Sequence, residues 1–206
     1  MRKLTILSLA AALLLAAAGP VSAGANTSNT SGSGRTIQGE WYDATSSGYV
    51  VLFEESGGNF GEFLAESGEW TLCNPGSSPE EEIYGFVGTR IWGWSSEVAI
   101  SMTSKLTAAS ASGTFDIGVD TIDECTGTYD STYDTAAISV DLVGEGSLVT
   151  FRNSGSFHVP GEFNAHSQYR GQERSAAGSI DLGSFGSHDL DFAVMAQYRW
   201  ADHTNG

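Results

Sequence analysis

Thr114-Phe115-Asp116-Ile117-Gly118-Val119-Asp120-Thr121 decides the fold class. Phe115, Ile117 and Val119 alternate with Asp116, Gly118 and Asp120, a period of two that turns one face to a core and the other to water. The period continues on either side. Val98, Ile100 and Met102 alternate with Ala99, Ser101 and Thr103, and Ile138, Val140 and Leu142 alternate with Ser139 and Asp141. In the last run Leu190, Phe192, Val194, Ala196, Tyr198 and Trp200 share a parity opposite to Asp191, Gln197 and Arg199. Half-buried antiparallel strands read this way. Turn-forming clusters interrupt the runs at Ser56-Gly57-Gly58-Asn59, at residues 74–78, at Gly144-Glu145-Gly146 and at Val159-Pro160-Gly161. About ten to twelve runs fit between residues 36 and 206, the density of a barrel or sandwich. The connections are short and sequential, which pairs neighbours as hairpins. The sequence therefore predicts one all-β antiparallel domain, a meandering β-barrel in preference to a two-sheet sandwich. One helix signal stands out, Ser78-Pro79-Glu80-Glu81, with a capping serine, proline at the first helical position and acids at the dipole's positive end. It predicts one or two turns.

The ends of the chain carry a different composition. Arg2 and Lys3 precede a charge-free apolar run over residues 4–18, Gly19-Pro20 breaks it, and Val21-Ser22-Ala23 supplies small residues for cleavage. This predicts a signal peptide over 1–23, removed after Ala23, and a secreted, extracellular protein. The run is shorter than the roughly 20 residues of a membrane-crossing helix, so no membrane insertion is expected. Residues 24–35 are rich in Ser, Thr, Gly and Asn and read as a flexible polar linker ahead of the domain at 36–206. Removing 1–23 leaves 206 − 23 = 183 residues and a net charge of 9 − 2 − 25 = −18. Such a surface disfavours nucleic acid. The charge is uneven, because residues 146–206 balance six acids against Arg152, Arg170, Arg174 and Arg199. Cys73 and Cys125 are the only cysteines, and an exported even pair predicts one structural disulfide.

Aromatic residues are the candidates for binding. Along residues 83–94, Tyr84, Phe86, Trp92 and Trp94 share one parity, while Ile83, Val87 and Ile91 share the other. Either the strand is buried on both faces, or the rings line a pocket or a flat platform for a small ring-bearing molecule or glycan. Gly39-Glu40-Trp41-Tyr42 resembles the strand opening of lipocalins and avidins, closed barrels that hold small ligands. The resemblance covers about four residues. It implies Trp41 as the plug of the closed end, with Arg199 or Arg152 stacked on it. On its own chemistry Trp41 is a core residue.

Metal and catalytic readings fare less well. His158 and His166 flank a turn. A two-residue turn puts them on opposite faces and a three-residue loop puts them together, yet two imidazoles fall short of the ligand set zinc needs. Asp116, Asp120, Asp123, Glu124, Asp130 and Asp134 surround Cys125 without a calcium-loop spacing and read as a solvated acidic face. There is no Gly-x-Ser-x-Gly, His-Glu-x-x-His or phosphate-loop motif, and nothing pairs Glu54, Glu62, Glu66 or Glu97 across a cleft. No cofactor, metal site or catalytic residue is assigned. The expectation is a non-catalytic binding or interaction protein. The alternatives are a carbohydrate-active hydrolase on a sandwich and an interaction domain without a pocket.

Overall fold

The computed structural model describes residues 28–76, 78–159 and 163–205. They form ten antiparallel strands: β1 (Ser28–Tyr42), β2 (Ser46–Glu55), β3 (Gly58–Leu72), β4 (Tyr84–Ser95), β5 (Ala99–Met102), β6 (Ala108–Asp123), β7 (Thr128–Gly144), β8 (Val149–Val159), β9 (Phe163–Asp181) and β10 (Ser187–Asn205). The ladder runs β1–β2–β3–β4–β6–β7–β9–β10, and β10 pairs back onto β1. Eight strands thus close a cycle of pairings, the meandering all-β arrangement that short sequential connections predict. Two seams in the cycle are short. β7 meets β9 only over residues 139–144, and β4 covers residues 116–123 of β6 before β5 takes over at 109–112.

Strand length exceeds the ring. Past the end of β2, residues 68–72 of β3 continue with β4, β6 and the start of β7 as a projecting sheet. At the opposite end β8, β9, β10 and the first half of β1 project in the same manner. The interior of the ring is filled by Ile37, Trp41, Leu52, Phe63, Phe115, Ile117, Ile138, Val140, Ile180 and Met195, all nearly inaccessible. Acids stand mostly on the outer parity, at Glu40, Glu62, Glu66, Asp116 and Asp141. Alternation therefore does what the sequence implies: Ile100, Phe115, Ile117 and Val140 are buried, while Asp116 and Asp141 are exposed.

Three expectations change. Residues 28–35 are not a linker but the first half of β1, paired from Ser28↔Thr204 to Arg35↔Gln197. Backbone ladder bonds suffice there, and the small residues make room for rings: Trp200 lies over Gly32 and Tyr198 over Gly34. The signal peptide at 1–23 and residues 24–27 lie outside the described residues. At Ser78-Pro79-Glu80-Glu81 the backbone makes a single turn, Glu81 N–H to Ser78 O at 2.8 Å, and no helix. The Asn74 side chain holds this loop through Glu81 O and Ile83 N–H, at 2.6 and 2.7 Å.

The third change concerns the last run, which does not keep one parity. The register shifts between Leu190 and Ala193, a bulge that adds a residue and turns the following side chains over. Leu190, Ala193 and Met195 all face the core, Phe192 is 52% exposed, and Val194 is only partly covered on the outer side.

Candidate functional site

Register places the aromatic residues. Tyr49 faces Leu64, Leu64 faces Trp92, Trp92 faces Gly118, and Gly118 faces Tyr133. Directly opposed residues share a sheet face, so this row crosses β2, β3, β4, β6 and β7 on the outer side. Four strand spacings make it roughly 19 Å long. The row beside it reads Glu62, Trp94, Asp116, and the row on the other side Glu66, Arg90, Asp120, Ser131. Farther along the same face come the opposed pairs Trp70–Phe86, Leu72–Tyr84 and Ile122–Tyr129. The rings are open to solvent: Trp94 is 47% exposed, Trp70 69% and Tyr133 72%.

Trp92 is the fixed member of this face. Its ring lies over Gly118, where any side chain would collide with it, and the Tyr133 ring meets it edge-on at 6.1 Å. Its Nε1–H donates to Asp120 Oδ2 at 3.0 Å, and Ser131 Oγ–H donates to Oδ1 of the same carboxylate at 2.7 Å. Burial by itself would push the Asp120 carboxyl up. The bonds from Ser131, Tyr129 and Trp92, with the charge of Arg90, outweigh it and hold the group below its ordinary range. Arg90 is itself anchored, with Nε 2.7 Å from Glu66 Oε1. The Phe86 ring lies over Gly68 and Gly88 and meets Trp70 edge-on at 6.1 Å. The result is an aromatic face, crossed by the row Glu66, Arg90 and Asp120, with carboxylates on both sides of Trp94, at Glu62 and Asp116. Rings of this kind pack against the apolar faces of sugars, and flanking carboxylates accept hydroxyl hydrogens.

Of the sequence-derived candidates, Tyr84, Phe86, Trp92 and Trp94 therefore share one exposed face. The strand is not buried on both sides. Trp41 is separate from them, fully buried inside the ring. It stacks on the His188 imidazole at 5.0 Å and 17°, and His188 Nδ1 is 3.2 Å from Asp43 Oδ2. Arg152 and Arg199, the cations implied by the barrel resemblance, stand in the projecting sheet at the other end and do not touch it. Trp70, Tyr129, Tyr133 and Tyr49 belong to the face and escape a strand-by-strand reading. Their membership depends on register, which the four-residue turn at 124–127 sets for β6 and β7.

The other clusters do not converge. His158 pairs with Asn164, and His166 pairs with Ser156 and His203, the register of a three-residue loop, so the imidazoles share a face. Among the described residues, however, no three His, Cys, Asp or Glu side chains come together at metal-binding distance. Asp123 caps its own turn through Cys125 N–H and Thr126 N–H, and Glu124 accepts from Phe86 N–H. Glu54 is held by Arg35 and by Ile100 N–H. Cys73 and Cys125 form a disulfide across the start of β4, with Gly85 packed beneath it. No family model, curated protein or solved structure matches the chain.

Proposed function

We propose that this chain is an exported, non-catalytic binding protein that holds a glycan or other ring-bearing ligand on the outer face of β3, β4, β6 and β7. One observation carries the reading: the rings of Trp92, Trp94, Trp70, Tyr84, Phe86, Tyr129 and Tyr133 fall on a single sheet face, and most of them are open to solvent. Soluble proteins rarely leave this many large rings uncovered on one face without a partner for them. The filled ring interior turns the proposal from the barrel lumen to the outside. Export is supported by the N-terminal composition and by the disulfide.

Trp94 is the clean test, because Trp92 is tied to Asp120 and its loss would disturb the sheet. Affinity electrophoresis through gels containing a soluble glucan, xylan or galactomannan should retard the native protein in at least one gel. Trp94→Ala should migrate freely with an unchanged melting temperature. The proposal fails if none of these polysaccharides retards the native protein, or if Trp94→Ala is retarded equally.

A further inference from the structure

We infer a second binding site, independent of the aromatic face, that takes a small ligand carrying two or more oxyanion groups. It lies on the inner face of the sheet projecting from the β8 end of the ring. Arg152 faces Arg170, and Arg170 faces Arg199, so three guanidinium groups stand side by side on adjacent strands. Like charges directly opposed across strands repel, and folding gains nothing from placing them so.

The other arginines of the described residues are engaged. Arg35 pairs with Glu54 at 3.2 Å, and Arg90 pairs with Glu66. Arg174 donates to Glu145 O, Lys105 O and Gly146 O. Arg152, Arg170 and Arg199 have no carboxylate within ion-pair distance among the described residues. Three unpaired guanidinium groups thus stand in one row, on a protein whose sequence is otherwise strongly acidic.

The row borders a groove of about 790 Å³. Its far wall is the loop after β5, held down where Gln172 and Gln197 both donate to Ser104 O. The two acids at the groove are already committed, Glu54 to Arg35 and Ile100 N–H, and Glu55 to the Tyr198 hydroxyl. What remains open to a ligand is a set of planar donors spanning two strand spacings, roughly 10 Å. Guanidinium groups grip carboxylate and phosphate oxygens through paired bonds. The groove admits a small di- or tricarboxylate or an oligophosphate, and two ligand arms tell these sources apart.

Isothermal titration of the full chain with citrate and with pyrophosphate at low ionic strength tests the site. At least one should bind at millimolar concentration or tighter, and the tighter of the two identifies the anion class. Arg170→Gln, the central position, should weaken that binding roughly tenfold, the loss of one charge-assisted pair. Raising salt should weaken it further. Without ligand, Arg170→Gln should melt at the native temperature or above it, because it removes repulsion. The inference is overturned if neither anion binds the native protein, or if Arg170→Gln binds as tightly. A lowered melting temperature with unchanged affinity would equally overturn it and make the arginines structural.

Discussion

Asp120 lies on the outer parity of β6 and is nevertheless only 4% exposed, because Trp92, Tyr129 and Ser131 close over it. A carboxylate so covered must be hydrogen-bonded to be tolerated, and here donors reach both oxygens. Asp120→Asn puts an amide NH2 against one of those donors. The expected cost at pH 7 is about 1–3 kcal/mol, the usual penalty for a broken buried bond to a charged group. The sign of the pH dependence follows from the lowered pKa. The charged form stabilises the fold fully above the unfolded value of about 3.9, and that contribution disappears as pH falls through the lower folded value. Urea denaturation at pH 7 and near pH 3 should therefore show the gap between native protein and Asp120→Asn narrowing in acid. A gap constant with pH would mean the carboxylate's charge is not what matters. The sequence shows Asp120 only as an acid on the polar face of an alternating run. Its role comes from Trp92 and Ser131, which are 28 and 11 residues away.

At the scale of the strand, β10 shows what alternation can and cannot reveal. The strand was legible from its period of two, but the bulge between Leu190 and Ala193 was not, since no residue in Asp191-Phe192 forbids continuous parity. Met195→Ala should cost about 2–5 kcal/mol, as for other buried truncations. Phe192→Ser should stay within about 0.5 kcal/mol, as exposed changes do. Uninterrupted parity predicts the reverse order, so a thermal or urea melt of the two variants decides between the readings. The first half of β1 was hidden for a related reason. Ser28 to Gly34 holds no apolar residue to set a period, and its strand identity rests on ladder bonds to β10 and on rings that reach over Gly32 and Gly34. Where side chains carried the pattern, as in β5, β6 and the second half of β7, the sequence sufficed. The aromatic face was half legible: four rings on β4 by parity, the remainder only through neighbours in the sheet.

Across the whole molecule, a single covalent link reinforces the part of the sheet that the ring supports least. Beyond residue 67 β3 has lost its β2 partner, and before residue 139 β7 has no β9 partner, so this projecting sheet ends in open edges on both sides. The Cys73–Cys125 bond ties the end of β3 to the end of β6 across β4, at a separation of 52 residues. In the chain-entropy model a closure of that length stabilises by about 4 kcal/mol. For a domain of this size each kcal/mol is worth roughly 2–4 °C, so reduction should lower the melting temperature by roughly 8–16 °C. The loss should begin locally, because opening the tip requires breaking only ladder bonds outside the ring. Amide exchange should therefore speed up first over residues 68–72, 84–88 and 128–134, with the interior strands following only near global unfolding. The aromatic face spans this sheet, so Trp70 and Tyr129 should become mobile before Trp92. Intact mass of the unreduced protein should fall short of the reduced form by two hydrogens, and thiol labelling without reductant should be negative. Two labelled thiols in the folded protein, or uniform acceleration of exchange on reduction, would show that the sheet tip stands without the bond.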